Sequence, residues 1–344
     1  MKKVKVGNLI LGDKKEIYVQ SMLSTPKGDI DAAVQQAIAL QDAGCKIIRL
    51  AIPDFESVKT IYALKENTDI PVVADIHFDY KLALESVNAG VDKIRINPGN
   101  IGNDEKVKAV VKACSSKCIP IRIGVNGGSL EKDILAKYQC ACADALVESA
   151  MYHVSLLEKY DFNDIVISIK SSDVKTMIEG YRKLSGLCEY PLHLGVTEAG
   201  TIRMGVIKNS VGIGSLLLDG IGDTIRVSLT ADPVEEVKAG YDILRAIGLH
   251  SKGVEFVSCP TCGRCMIDLI PLAEKIENAL VDCDKNIKVA VMGCAVNGPG
   301  EARDADIGIA GGKDEGLIFI KGKILRKVPY DRLFEEFMFE INKL

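Results

Sequence analysis

Residues 70–97 read IPVVADIHFDYKLALESVNAGVDKIRIN and form one strand–helix–strand unit. The β-branched runs at 72–76 and 93–97 have the composition of buried strands, and the amphipathic stretch at 81–89 between them has helical spacing. A crossover helix of this length joins strands that run parallel. The unit therefore predicts an α/β fold built on a parallel sheet.

The same alternation repeats through residues 1–252. Strands are predicted at 17–22, 46–51, 72–76, 93–97, 121–125, 165–170, 192–196 and 224–229. Helices are predicted at 31–43, 57–66, 81–89, 107–115, 130–160, 174–187, 202–219 and 233–247, with Asp29 and Asp232-Pro233 as helix starts. Eight such repeats indicate a (β/α)8 TIM barrel. The alternative, a doubly wound open sheet, would be favoured by Gly-x-Gly-x-x-Gly after an early strand, which this sequence lacks.

The pattern changes near residue 253. A loop at 259–265 precedes a helix at 267–281, strands at 287–292, 306–310, 317–321 and 323–327, and a helix from residue 330. This order predicts a small α+β domain at 253–344, of a size that commonly folds by itself.

Composition excludes several classes of protein. The chain has 344 residues, 47% of them hydrophobic, and a net charge of −4, so it shows no basic excess for binding nucleic acid. No apolar run approaches the roughly 18 residues that span a membrane. Eleven cysteines without an apolar signal core at the start predict a reducing, cytoplasmic environment.

The predicted C-terminal ends of the barrel strands are rich in charge. They carry Arg49, Asp75, His77, Arg95, Asn97, Arg122, Asn126, Lys170, Glu198, Arg226 and Ser228. Active sites of TIM barrels lie at this face, and converging arginines bind phosphate through planar, bidentate contacts. We therefore predict an anion site there. The alternative for any one cation is a structural ion pair with Asp75, Glu198 or Asp223.

Three side chains are candidates for proton chemistry. His77 follows Asp75, which could fix its tautomer, whereas His193 is at least as well interpreted as a hydrogen-bonded core histidine. Glu198 is the preferred general acid, because a carboxyl group partly withdrawn from water can remain protonated near neutral pH.

The second domain carries a thiol motif. Cys259 and Cys262 form a Cys-x-x-Cys pair, and Cys294 and Glu301 occur in Gly-Cys-Ala-Val-Asn-Gly-Pro-Gly-Glu. Three thiolates with a carboxylate suit an iron–sulfur cluster with one weakly held ligand, and a zinc ribbon is the alternative. Cys265 offers a rival fourth ligand.

These motifs together resemble those of a known family. They are Val-Gln-Ser-Met (19–22), Ala-Asp-Ile-His-Phe (74–78), Arg-Ile-Asn-Pro-Gly-Asn-Ile-Gly (95–102), Arg-Ile-Gly-Val-Asn (122–126), Thr-Glu-Ala-Gly (197–200), Gly-Asp-Thr-Ile-Arg-Val-Ser-Leu (222–229), Cys-Pro-Thr-Cys-Gly-Arg (259–264) and Asn-Gly-Pro-Gly-Glu (297–301). In this order the chain resembles the bacterial 4-hydroxy-3-methylbut-2-enyl diphosphate synthases of the methylerythritol phosphate route to isoprenoids.

The resemblance implies a reductive opening of 2-C-methyl-D-erythritol 2,4-cyclodiphosphate on a [4Fe-4S] cluster, with electrons from flavodoxin or ferredoxin. It implies a head-to-tail homodimer, in which the cluster domain of one subunit covers the barrel mouth of the other. The implied cluster ligands are Cys259, Cys262, Cys294 and Glu301, and the implied acid is Glu198. The implied substrate-binding residues are Arg49, Arg95, Arg122, Asn126, Lys170, Arg226 and Ser228. The rival function is a non-redox phosphosugar barrel enzyme with a structural zinc module.

Overall fold

The structure, a computed structural model, describes residues 1–281, 283–294 and 302–344, and among these all side chains except that of Ser129. The described residues form two compact units, Met1–Leu249 and His250–Leu344. The division lies close to the one expected after residue 252. No helix in the described ranges has the length and apolar character needed to cross a lipid bilayer.

The first unit is the predicted barrel. Its elements are β1 (Val4–Val6), β2 (Leu9–Leu11), β3 (Tyr18–Met22), α1 (Ile30–Asp42), β4 (Ile47–Ala51), α2 (Val58–Asn67), β5 (Val72–Asp75), α3 (Tyr80–Asn88), β6 (Lys93–Ile96), α4 (Pro98–Ile101), α5 (Asp104–Ser116), β7 (Ile121–Asn126), α6 (Lys132–Tyr138), α7 (Ala143–Glu158), β8 (Ile165–Lys170), α8 (Val174–Leu187), β9 (His193–Leu194), α9 (Ile202–Leu218), β10 (Thr224–Ile225) and α10 (Pro233–Ala246). Strands β3 to β10 pair in the order β8-β7-β6-β5-β4-β3-β10-β9, and a parallel bridge between Ile167 and Leu192 closes the circle. The TIM-barrel prediction is confirmed.

The helix starts follow from local chemistry. The carboxylate of Asp29 accepts a hydrogen bond from the Ala32 N–H at 3.0 Å, and that of Asp232 accepts one from the Val234 N–H at 2.8 Å. Pro233 occupies the first turn of α10, where its missing N–H costs no helical hydrogen bond. Both predicted helix starts are confirmed.

An N-terminal hairpin, which the sequence did not predict, forms an apolar floor at one end of the barrel interior. The floor consists of Val4, Val6, Leu11, Tyr18, Ile47, Val73 and Val166, all buried. The carboxylate of Asp223 fixes the hairpin, because it accepts hydrogen bonds from the Gly12 N–H at 3.0 Å and the Leu192 N–H at 2.8 Å.

The predicted helix at 130–160 is wrong, since two helices occupy this region. Gln139 ends α6 in the left-handed conformation, with φ of 58°, and α7 starts after Cys142. A left-handed residue breaks the helical hydrogen-bond ladder, and no glycine or proline marked this break in the sequence.

Strands β9 and β10 are shorter than the predicted 192–196 and 224–229 because a side chain takes over their backbone pairing. Asn209 Oδ1 accepts a hydrogen bond from the Val196 N–H, and its Nδ2 donates to the Ser228 carbonyl, both at 3.3 Å. The backbone beyond each strand is thereby held near the mouth.

The second unit contains a five-stranded mixed sheet. Its elements are β11 (Val254–Ser258), α11 (Leu269–Ala279), β12 (Ile287–Met292), β13 (Ile307–Gly311), β14 (Glu315–Ile320), β15 (Lys323–Pro329) and α12 (Leu333–Lys343). Strands β11, β12 and β13 pair in parallel, and β13, β14 and β15 pair antiparallel. Strand β11 was not predicted from the sequence. Its pairing with β12 places the Cys-x-x-Cys loop beside the end of β12.

Candidate active site

Asp75, at the end of β5, organises one side of the barrel mouth. Its Oδ2 accepts hydrogen bonds from Arg49 Nε at 3.2 Å and Nη2 at 2.7 Å, and its Oδ1 accepts one from Arg95 Nη1 at 3.0 Å. His77 Nε2 lies 3.3 Å from Oδ2. Burial raises the pKa of Asp75, but Arg49, His77 and Arg95 outweigh it and hold this pKa well below its usual range. Asp75 is therefore a fixed carboxylate that positions two arginines.

Glu236 is the matching carboxylate on the other side of the mouth. Its two carboxylate oxygens lie 3.4 Å from the Nη2 of Arg226, and it accepts a hydrogen bond from the Leu229 N–H at 3.0 Å. The side chain is buried. The sequence analysis missed Glu236, since an acid in the first turn of a helix is common at an exposed surface.

Two further cations of the predicted ring are also buried. Arg122 is 1% exposed, and its Nε and Nη1 atoms have no hydrogen-bond partner among the described residues. Lys170, at the end of β8, is buried; burial lowers its pKa, and Arg226 and Arg122 lower it further. The described barrel interior therefore carries more positive charge than its own carboxylates neutralise, as an anion site requires.

The remaining predicted residues differ in their placement. Asn126 ends β7 and Ser228 follows β10, and both are half-buried near the mouth. His193 is fully buried, with Nδ1 2.8 Å from Thr224 Oγ1, which favours its interpretation as a core histidine.

Glu198 does not have the expected environment. The sequence predicted a carboxyl group partly withdrawn from water, whereas its side chain is exposed in the structure. Its backbone is left-handed, with φ of 52°, a conformation that costs about 1 kcal/mol or more for a residue with a Cβ. Backbone strain of this kind is concentrated at functional sites. The role of Glu198 as the general acid stays a prediction.

A polar contact that was not predicted from the sequence joins α7 to the loop that follows β7. His153 Nε2, on α7, lies 2.6 Å from Glu131 Oε1, in the loop that follows β7. A Cβ at Gly99, in the loop that follows β6, would lie only 2.8 Å from His153 Cε1. Glycine at position 99 therefore permits the close approach of the His153 ring to the backbone of this segment.

The thiols of the second unit meet where two parallel strands end. The Cys259 N–H donates to the Val291 carbonyl at 3.2 Å, and the Gly293 N–H donates to Cys259 Sγ at 3.2 Å. Cys294 follows directly and is buried. The pairing of β11 with β12 thus brings Cys259 and Cys294 to one cavity across 35 positions of sequence.

A cavity of 240 Å³ lies at this point. It is lined by Cys259, Pro260, Cys262, Arg264, Cys265, Gly293 and Cys294. The backbone N–H and then the side chain of Arg264 lower the pKa of the Cys262 thiol, which favours the thiolate that binds metal. Among the described side chains, no three metal-binding groups already converge on one ion position. Soft donors around a cavity fit a cluster larger than a single ion.

The fourth ligand remains a choice between two residues. Glu301 lies outside the described residues. Cys265 lines the same cavity as the other three cysteines, and its Sγ donates a hydrogen bond to the Ile267 carbonyl at 3.3 Å.

Fold and site together define a class: a TIM barrel with a cation-rich mouth, joined to an α+β unit whose thiols line one cavity. Sequence profiles of the GcpE TIM-barrel domain and the GcpE protein C-terminal domain match residues 1–241 and 255–343. The chain belongs to the GcpE family.

Curated relatives match over nearly the whole chain. Proteins of Clostridium tetani and Clostridium acetobutylicum are each 59% identical to it, cover 99% and 100% of the chain, and are covered to 98% of their own length. A Clostridium perfringens protein is 60% identical over 97% of the chain and 96% of its own length. All three are named 4-hydroxy-3-methylbut-2-en-1-yl diphosphate synthase (flavodoxin). The rival function with a zinc module finds no support in them.

Two solved structures have a similar fold over 72% of the chain. Dihydropteroate synthases from Stenotrophomonas maltophilia and Yersinia pestis align with TM-scores of 0.51 and 0.50, at 15% and 17% identity. Each covers 72% of this chain, and 99% and 98% of its own length is covered. At such low identity the likeness shows the fold and nothing about the reaction.

Proposed function

We propose that the chain catalyses the reductive ring opening and dehydroxylation of 2-C-methyl-D-erythritol 2,4-cyclodiphosphate to 4-hydroxy-3-methylbut-2-enyl diphosphate, a step of isoprenoid biosynthesis. Its membership of the GcpE family and the names of its relatives support this reaction. The observation that carries the proposal is the excess of buried cations at the barrel mouth, because a cyclic diphosphate supplies the negative charge that they lack.

The barrel residues bind and orient this substrate. Arg49 and Arg95 are held by Asp75, and Arg226 is held by Glu236, so their guanidinium groups are in place before the ligand arrives. Preorganised cations favour a transition state in which negative charge develops on the released phosphate oxygen. Arg122, Lys170, Asn126 and Ser228 complete the proposed binding set. His77 lies at the rim beside Asp75.

The reaction takes up two electrons and one proton and releases one water for each substrate opened, because the freed phosphate oxygen leaves as an anion and the hydroxyl group leaves as water. A [4Fe-4S] cluster held by Cys259, Cys262, Cys294 and Glu301 would supply those electrons, received from flavodoxin or ferredoxin. Glu198 is the proposed donor of the proton that leaves with the hydroxyl group as water. Its exposure lets it exchange protons with solvent between turnovers.

Two properties of the whole protein belong to the same proposal. We infer a homodimer, as in the family that the motifs resemble. We also infer a cytoplasmic location, because the thiols that line the 240 Å³ cavity must remain reduced to bind iron. Neither nucleic acid nor a membrane is a proposed partner.

Anaerobic purification followed by metal analysis tests the proposal directly. The expected protein is brown, absorbs broadly near about 400 nm, and contains iron and sulfide. With reduced flavodoxin it should convert the cyclic diphosphate into the linear allylic diphosphate. A colourless protein containing zinc, without turnover under these conditions, would contradict the proposed function and restore the zinc-module alternative.

A further inference from the structure

The barrel interior contains a second set of polar side chains, more completely buried than the arginines that pair with Asp75 and Glu236. This deep set consists of Gln20 on β3, Lys93 on β6, Arg122 on β7 and His193 on β9. Lys93 precedes Arg95 by two residues on the same strand, so it lies about 6–7 Å further from the mouth. TIM barrels usually fill this level with Val, Ile and Leu. Here the apolar residues form only the floor.

The deep set is almost completely buried and lacks acceptors. Exposure is 1% for Gln20 and Arg122 and 0% for Lys93 and His193. Among the described residues, no hydrogen-bond partner exists for Gln20 Nε2 and Oε1, Lys93 Nζ, Arg122 Nε and Nη1, or His193 Nε2. An unsatisfied buried polar atom costs about 1–3 kcal/mol, and more when it is charged. Because nitrogen donors dominate, the missing partner is an acceptor.

The charges inside the described barrel do not balance. The cations are Arg49, Lys93, Arg95, Arg122, Lys170 and Arg226, and the carboxylates are Asp75 and Glu236. Both carboxylates already pair with arginines at the mouth. With all of these groups charged, the excess of positive charge would lie at the lysines and Arg122, which is the arrangement that disfavours a charged amine on Lys93.

Lys93 faces mostly positive neighbours. Arg122 of β7, Arg49 of β4 and the imidazole of His193 on β9 interact with it electrostatically. The adjacent carboxylate, Asp92, instead accepts hydrogen bonds from Lys65 Nζ at 2.7 Å and the Val72 N–H at 2.8 Å. Burial lowers the pKa of Lys93 well below its usual range, and Arg122 and Arg49 lower it further. A fully buried amine among cations, with no acceptor among the described residues, favours its neutral form, and an anion beside it favours the charged form.

We propose that Lys93 is a proton-linked part of the substrate site: its amine is neutral in the free protein and takes up one proton when the cyclic diphosphate binds. This inference rests on the proposed function. The proton forms a new N–H bond on Nζ and comes from the buffer acid, so no redox change accompanies it. The resulting ammonium provides a further cation for the diphosphate.

The chemistry of the ligand explains how proton uptake by Lys93 would assist the reaction. The cyclic diphosphate has one negative charge on each phosphate. Breaking the C–O bond to one phosphate frees an oxygen and adds a further negative charge to the linear product. A lysine protonated on binding would already be in place to balance the charge that appears during ring opening.

Calorimetric titration with the cyclic diphosphate, without an electron donor, tests the inference. Both phosphates of this ligand are fully ionised near pH 7, so proton exchange must come from the protein. Binding to the holoenzyme is measured in buffers that differ in ionisation enthalpy. We expect uptake of about one proton per chain in the wild type and close to none in Lys93→Met. The control Lys65→Met, which removes a lysine of α2 that pairs with Asp92 outside the barrel interior, should keep the uptake.

Further measurements distinguish Lys93 from His193 as the group that takes up the proton. Lys93→Met should bind the ligand at least about tenfold more weakly, as expected for the loss of one charged hydrogen bond. Its thermal unfolding at neutral pH should show no loss of stability, because the substitution removes a buried amine without a partner. Uptake that persists in Lys93→Met but vanishes in His193→Asn would assign the proton to His193 and overturn the inference.

The same experiments distinguish a wrong role for Lys93 from a wrong proposed reaction. Binding and turnover of the cyclic diphosphate without proton uptake in the wild type would overturn the role of Lys93 and leave the reaction intact. If the wild-type holoenzyme does not bind the ligand at all, both proposals fall.

Discussion

The barrel mouth and the thiol cavity are both built at the C-terminal ends of parallel strands, but they reach order by different means. At the mouth, buried Asp75 and Glu236 fix three arginines before any ligand is present. At the cavity, Cys262 is exposed and lies on a loop, and Cys259 Sγ accepts a hydrogen bond from the Gly293 backbone N–H. Folding thus orders the charged site through its own ion pairs, and the thiol site is the less constrained of the two.

The largest expected effect is at the thiol cavity. Cys294→Ser should lose most of the iron and sulfide of the anaerobically purified protein and nearly all turnover, because serine is a poor ligand for this soft site. Metal and sulfide analysis measures it, and Cys283→Ser, in the same unit but away from the cavity, is the control. Full cluster content in Cys294→Ser would remove this residue from the ligand set.

At the mouth, Asp75→Asn should destabilise the fold even without a ligand. It leaves Arg49 and Arg95 buried without their anion, which costs about 3–5 kcal/mol. Chemical denaturation measures the loss. Asp54→Asn, which breaks the exposed pair with Lys27, should cost about 0–1 kcal/mol. Equal effects of the two substitutions would show that Asp75 does not organise the mouth.

The same carboxylate predicts a pH dependence. The pKa of Asp75 is lowered by folding, so its stabilisation is fully present above the unfolded value of about 3.9 and is lost as pH falls through the folded value. The wild type should therefore lose stability below about pH 4 more steeply than Asp75→Asn. Denaturation curves at several acidic pH values compare the two slopes, and parallel slopes would contradict the assignment.

An intermediate effect is expected for Arg122. Arg122→Ala should weaken binding of the cyclic diphosphate by about 1.5–3 kcal/mol, the range for hydrogen bonds to charged groups. Calorimetry provides the affinity, and Arg182→Ala, which removes an exposed pair with Asp219, is the matched control. Unchanged affinity would place the phosphate elsewhere.

The smallest effect should be that of Cys265→Ala. Its thiol already donates to the Ile267 carbonyl, which a metal-bound thiolate could not do. We expect normal iron content and turnover, whereas Glu301→Ala should leave a labile cluster with poor turnover. The opposite pattern would assign the fourth ligand to Cys265, and with it a closed site of four thiolates.

The alternation of strands and helices was sufficient to predict the barrel, because each buried strand is a short β-branched run between amphipathic helices. The same logic located the cations at the mouth, since Arg49, Arg95 and Arg122 interrupt strands that are otherwise apolar. The break at Gln139 left no sequence signal because any residue can adopt a left-handed conformation at some cost.

Residues that depend on closure of the barrel could not be predicted. Lys93 stands at the start of a strand, where a lysine normally reaches solvent, and only the neighbouring strands enclose it. Glu236 resembles an acid that complements a helix dipole. Conversely, Glu198 was expected to be shielded, but the strand that carries it ends before its side chain is covered.

The apolar floor formed by the N-terminal hairpin closes one end of the barrel interior. Val4, Val6 and Leu11 cover the end opposite the mouth, and their side chains conduct neither water nor protons. Solvent displaced by a ligand must leave by the route through which that ligand enters. A proton destined for Lys93 uses this route too, so it must arrive before or together with the diphosphate, and the order of arrival becomes part of the kinetics.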